Sequence, residues 1–330
     1  MSFNFYLQII SLLQASIAIL LNLLLLLAFL YCQVRVGNYR RFILAYIILD
    51  VLFAVCHALL SPAFIYSNNT LTLTAVGIVR NYKNCQAILL VYCACNLALI
   101  LFVCNSFVYR LTLFSEPLRK LYTKPSGIAF QWIVCSVYVL FTVAVAQLKY
   151  SDSSLIPMSQ AIELLKKLSV NVTLGPIITG PMTPFAIAHD PWNFVLTFLV
   201  GTSVFSVQGI NLFCSAYILK KLDQGSLNRR TEELHRRLVY LLMTQCALPF
   251  FTLYLPYIVC MTSCFINLSV YFYISIAMSM ISGCFPILNP LSIFVFIKRY
   301  RTYILRRSPI VTNDTRTEIT KSVVVFVTRL

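Results

Sequence analysis

The stretch Ile9–Tyr31, IISLLQASIAILLNLLLLLAFLY, decides the fold class. It contains no charged side chain, and neither does anything from Met1 to Val34. An apolar run of roughly 20 residues is what an α-helix needs to cross the hydrocarbon core of a bilayer. A secretory leader would carry a basic residue ahead of a shorter apolar core and then a small-residue cleavage site. No Lys or Arg precedes this run, so it reads as a retained first transmembrane helix.

The same pattern recurs along the chain. Apolar segments lie at about 8–32, 42–65, 86–109, 127–148, 194–218, 238–262 and 270–297, which predicts an all-α bundle of seven transmembrane helices over 1–297. A basic tail, 298–330, follows. Composition agrees: 59% of the 330 residues are hydrophobic and 11% charged, against roughly half and a quarter in soluble domains.

Charge sets the expected orientation. Of 26 Lys and Arg residues, 21 fall after the first, third and fifth spans or in the tail. They are Arg35, Arg40 and Arg41; Arg110, Arg119, Lys120 and Lys124; Lys220, Lys221, Arg229, Arg230, Arg236 and Arg237; and eight from Lys298 onward. Positive charge stays cytosolic, so the N-terminus is expected outside and the C-terminus inside. The sequons at Asn68, Asn171 and Asn267 fall in the three loops assigned outside and are glycosylation candidates. The net charge of +16 is accounted for by topology and attraction to the anionic inner leaflet, without nucleic acid. The long outer loop, about 149–192, is expected to carry a short helix over 159–170.

Ionisable groups within a span point to function. Asp50 is the sole acidic residue in one, and Asn22 and Asn289 are the polar residues placed to face it. A cluster of Asn22, Asp50 and Asn289 would satisfy the carboxylate and form either a static or a repackable joint. His57, seven residues beyond Asp50, shares its helix face and either lines a pocket or sits as a satisfied interior side chain. Pro249 and Pro256 make the sixth span the expected hinge.

Enzyme chemistry finds no support in the motifs. There is no GxSxG, HExxH or P-loop, and the three histidines, His57, His189 and His235, fall in different compartments. No cofactor or metal site is expected. The twelve cysteines lie mostly in apolar spans, where they pack as small hydrophobes.

Four stretches together resemble nematode serpentine chemoreceptors, the superfamily of class r, d, h and j receptors. They are Gly37-Asn38-Tyr39-Arg40-Arg41 before a helix ending at Ser61-Pro62; Phe107-Val108-Tyr109-Arg110; Thr244-Gln245-Cys246-Ala247-Leu248-Pro249; and Phe285-Pro286-Ile287-Leu288-Asn289-Pro290 followed by Tyr300-Arg301. The resemblance implies a G-protein-coupled receptor for a small environmental or pheromone ligand, in the plasma membrane of sensory-neuron cilia. Tyr109, Arg110, Lys220, Lys221, Arg236 and Arg237 are then the expected contacts to Gα. In many seven-helix receptors a cysteine at the position of Cys85 anchors a disulfide to the second outer loop; that loop has none here, so Cys85 either pairs with Cys260 or Cys264 or packs as a free thiol. The alternative is a seven-helix ion channel or transporter without such coupling; a membrane protein with no ligand is a third possibility.

Two features of the tail stand apart. Lys298–Arg307 is basic and amphipathic, as expected of a helix lying on the inner leaflet. Thr328 and the terminal Leu330 fit strand addition to a PDZ domain.

Overall fold

The computed structural model describes residues 3–31, 39–67, 70–79, 85–112, 115–122, 124–150, 177–181, 191–223, 229–256, 258–259 and 271–306. In lipid every backbone polar group must be satisfied within the protein, so the apolar runs become helices. These are α1 (Phe3–Tyr31), α2 (Tyr39–Leu60), α3 (Cys85–Leu111), α5 (Pro125–Tyr150), α6 (Pro191–Asp223) and α7 (Arg229–Pro249). The seventh span is α8 (Tyr271–Gly283) followed by α9 (Phe285–Phe296). A short α4 (Glu116–Tyr122) precedes α5, and α10 (Lys298–Arg306) follows the bundle. Among the described residues, four stretches are by themselves long and apolar enough to cross a membrane: Tyr6–Tyr31, Phe42–Leu60, Cys85–Leu111 and Ala277–Phe296.

The expected all-α bundle is what forms, with one small addition that the sequence reading did not include. Strands β1 (Pro62–Ser67), β2 (Thr70–Ala75) and β3 (Ile177–Pro181) form an antiparallel sheet in the order β1-β2-β3. The second span was expected to reach residue 65, but α2 stops at Leu60 because Pro62 disfavours helix at the residue before it. Ser61 instead adopts φ 40°, a left-handed cap. The hairpin's end then supplies donors the helix terminus lacks: Gly77 N–H donates to the Leu60 carbonyl at 2.7 Å and Val79 N–H to the Leu59 carbonyl at 3.3 Å. A Cβ on Gly77 would stand 2.6 Å from the Leu60 carbonyl carbon, so this approach needs glycine. Thr70-Leu71-Thr72-Leu73-Thr74 carries the period-two signal that betrays β2. The expected helix over 159–170 lies outside the described residues.

Two packing zones hold the bundle. Ala15 and Ala18 of α1 meet Ala54 and Ala58 of α2, small residues that let the helices approach closely. Between α2, α3 and α5, the rings of Phe42, Tyr46, Phe102, Tyr109 and Trp132 interlock, Phe102 and Trp132 edge to face at 4.7 Å. Amides bind neighbouring helices: Asn105 with Gln131 and Cys135, and Asn211 with Cys246. Large apolar side chains such as Phe130, Leu140, Phe205 and Phe213 face outward, the arrangement a lipid solvent favours.

Candidate functional site

A polar core runs through the apolar bundle where α1, α2, α7 and the seventh span meet. Asp50 is 1% exposed, and Asn289 Nδ2 donates to its Oδ2 at 2.6 Å. Gln245 of α7 donates in turn to Asn289 Oδ1 at 3.1 Å. One asparagine therefore links the second, sixth and seventh spans, using its donor on one side and its acceptor on the other.

Asn22 is not hydrogen-bonded to the carboxylate. Its Nδ2 donates to the Pro286 carbonyl at 3.1 Å and to its own Ala18 carbonyl at 2.9 Å. The reason is Pro290. Lacking an N–H, it cannot serve the carbonyl four residues back, which is that of Pro286. Asn22 takes over the missing donor, as membrane bundles do where proline frees a carbonyl.

A second break lies further along the same span. At Gly283-Cys284 the Cys284 N–H turns to the Ile281 carbonyl at 3.0 Å, three residues back. This leaves the Met280 carbonyl free of its α-helical donor, and Gln14 Nε2 donates to it at 2.8 Å. Gln14 and Asn22, two amides on α1, thus each support one interruption of the seventh span. Nothing in the residue pattern marked Gln14 as special, although an amide in a lipid-spanning run is itself a signal, because it must find a partner.

At the sheet end of the bundle, His57 is 2% exposed. Its Nδ1 lies 3.4 Å from the Tyr92 hydroxyl, and its ring stands beside Phe53, 6.1 Å between centroids. Phe53 also stacks on Tyr92 at 4.8 Å and meets Phe285 edge to face at 6.2 Å.

In the sixth span, Pro249 closes α7 and a π-helical turn, Phe250–Tyr254, follows, in which Leu255 N–H reaches back to the Phe250 carbonyl. Pro249 withholds the donor for the Gln245 carbonyl, and a wider turn accommodates the loss. The two expected hinge prolines, Pro249 and Pro256, therefore flank an irregular turn directly beyond Gln245.

At the opposite, basic end, the six expected contact residues are unlike one another. Arg110 is 4% exposed at the close of α3, and the half-buried Tyr109 packs its ring 5.4 Å from that of Phe42. Lys220 and Arg237 are exposed. Lys221 sits 6.0 Å from the Tyr217 ring centroid, and Arg236 pairs with Asp223 at 2.7 Å, bridging α6 and α7. Alongside them α10 packs Tyr300 into the core and stacks Tyr303 on Tyr31.

Asn68, Asn171, Asn267, Cys260, Cys264 and the terminal Thr328 and Leu330 lie outside the described residues. Cys85 is buried with a free thiol. Among the described residues no group of His, Cys, Asp and Glu is arranged to hold a metal ion.

A family model described as serpentine type 7TM GPCR chemoreceptor Str matches residues 7–305, from the start of α1 through α10. No individually curated protein matches the sequence.

Proposed function

The chain belongs to the serpentine seven-transmembrane chemoreceptor family Str, and from that premise we propose that it binds a small ligand toward the sheet end and activates a Gα subunit at the basic end. The sheet end faces outside in this reading, and the tail lies in the cytosol of a sensory cilium, with Thr328 and Leu330 offered to a PDZ domain. The observation that carries the reading is the Asp50–Asn289–Gln245 chain beside the π-helical turn. It joins three spans by hydrogen bonds that can be re-formed, next to a helix already interrupted. A ligand shifts such an equilibrium by its differential affinity for the two arrangements.

Arg110 is the residue whose exposure must change. Buried at the end of α3, it becomes available when the sixth span swings away, and its planar fork of donors suits Gα carbonyls or carboxylates. Lys220, Lys221, Arg236 and Arg237 supply the positive rim, where single charges contribute under about 1 kcal/mol.

The test is ligand-stimulated nucleotide exchange on Gα, normalised to receptor at the cell surface. Arg110→Ala should lower exchange while ligand binding persists; equal exchange in variant and parent refutes the coupling assignment. Epitope tags at both termini test the topology, because a C-terminal tag that stains intact cells places the basic end outside. Ligand-gated current in membranes free of G proteins would favour the channel reading.

A further inference from the structure

Two adjacent residues of α7 bind in different directions. Gln245 reaches the seventh span through Asn289, and Cys246, the next residue, reaches α6. The Cys246 thiol is 8% exposed and sits between two amides of α6. Asn211 Nδ2 donates to its sulfur at 3.2 Å, and the thiol donates to Gln208 Oε1 at 2.8 Å. The sixth span is thereby tied to the fifth and the seventh at one level, three residues before Pro249 and the π-helical turn that follows it.

The two ties differ in strength. The one to the seventh span joins amide to amide and continues to a carboxylate, whereas sulfur is a weak donor and a weak acceptor. Among the described residues Asn211 Oδ1 has no donor, so this amide is held through its nitrogen alone. Gln208 and Asn211 also stand three residues apart on α6, the spacing at which side chains on a helix meet and amides can pair. The thiol thus bridges an acceptor and a donor that suit each other. When α7 moves off, Asn211 N–H can donate to Gln208 Oε1 directly, and neither group is stranded in lipid. Parting the fifth and sixth spans exchanges two weak sulfur bonds for one amide bond.

Resting on the coupling reading above, we propose that Cys246 is a positioning residue, a thiol latch that holds the sixth span to the fifth at rest and parts when the basic end opens. The amide pair Gln208–Asn211 takes up the bonding that the thiol releases, which gives the joint two discrete arrangements. Anything that favours one of them shifts the population between a closed and an open basic end. The stretch Thr244–Pro249 then has a division of labour: Gln245 serves the seventh span, Cys246 the fifth, and Pro249 the break that lets α7 move.

The test uses the full chain in lipid nanodiscs, with a purified Gα subunit and a fluorescent GTP analogue as the probe and no added ligand. Cys246→Ala removes both bonds of the closed arrangement and leaves the amide pair of the open one. Basal exchange should therefore rise about threefold for each hydrogen bond lost. Cys246→Ser keeps a donor and an acceptor and should stay at or below the parent. Gln208→Leu and Asn211→Leu remove the open pair together with one closed bond, so neither should raise exchange. A side chain that only packs would make these variants act alike, and amide variants that raise exchange as much as Cys246→Ala overturn the latch. Cys246→Val, nearer the thiol in size, takes the place of Cys246→Ala if that variant fails to fold.

Two readouts do not depend on Gα. The infrared S–H stretch that disappears in Cys246→Ala should lie in the hydrogen-bonded range in the parent and shift in Gln208→Leu; a free-thiol band in the parent, or one that Gln208→Leu leaves in place, overturns the proposal. Encoded spin labels at Lys220 and Arg237, exposed at the basic ends of α6 and α7, should stand further apart in Cys246→Ala. Where the parent supports exchange, a Cys246→Ala rate no higher than the parent's overturns the latch and leaves the coupling standing. Where no variant supports exchange, a lengthened separation upholds the latch and refutes the coupling, and an unchanged one overturns both.

Discussion

The two ends of this bundle are closed by different chemistry. At the sheet end the closure centres on main-chain carbonyls: Gly77 and Val79 N–H groups cap those of α2, and the Ser279 hydroxyl of α8 donates to the Pro62 carbonyl of β1. At the basic end it is made of side chains: Tyr109 against Phe42, Tyr303 against Tyr31, and Arg236 paired to Asp223. Backbone bonds hold one geometry, because breaking one strands a polar group away from water. Aromatic and ionic contacts have alternative rotamers and partners within reach. The contrast predicts that the sheet end stays fixed while the basic end repacks.

Substitutions can break that contrast, and the largest effect belongs to the sheet end. Gly77→Ala drives a methyl group into the Leu59 and Leu60 carbonyls, which are backbone and cannot swing aside. It should cost about 3 kcal/mol, the upper part of the range for overpacking. Thermal unfolding in detergent, followed by labelling of the buried cysteines, reads this directly. A variant as stable as the parent would mean the hairpin is only loosely docked.

Between the two ends, Asn289→Leu removes the donor to Asp50 and the acceptor for Gln245 together. A loss of roughly 2 kcal/mol is expected from leaving buried polar groups unmet. Because the joint serves three spans, the constitutive level of Gα exchange should also change; an unchanged level would mark the cluster as static.

A smaller, paired effect compares the two supports on α1. Asn22→Leu and Gln14→Leu each take an amide donor from one carbonyl of the seventh span, Pro286 and Met280, the latter keeping a weak Cys284 thiol contact at 3.5 Å. Each should cost about 1 kcal/mol, in the range of hydrogen bonds between membrane helices. If the two are independent, the double variant should show their sum. An excess would show that both interruptions move as one unit.

The smallest effect lies on the basic rim. Lys221→Gln gives up a half-buried cation near the Tyr217 ring, worth about 0.5 kcal/mol. Stability should barely move, and a large loss would mean that the rim is as fixed as the sheet end.

Much of this molecule is legible without coordinates. Asp50 and Asn289 stand out because each is a polar residue in a long apolar run, and lipid offers it no water. Asn22 is conspicuous for the same reason, but its partner is not legible: the carbonyl it serves is exposed by a proline 268 residues later in the chain, at Pro290. Gln245 could be seen only as part of a family motif, and Gln14 and Gly283 are ordinary residues until the seventh span is laid beside α1. Arg110 reads from the sequence as the end of the third span, yet its burial depends on neighbours that the sequence does not order in space.

The sequence by itself determined the solvent. Charge-free runs of helical length can be stable only in lipid, and the uneven placement of Lys and Arg gives the bundle its basic end. It also determined where helices must falter, since proline lacks its donor in any fold. The tertiary structure decided what each interruption is used for. A freed carbonyl needs a donor from elsewhere, and which amide arrives depends on the packing of α1 against the seventh span. The sheet was decided at that level too, because the capping of α2 by Gly77 and Val79 exists only once the chain after the hairpin returns to the helix end.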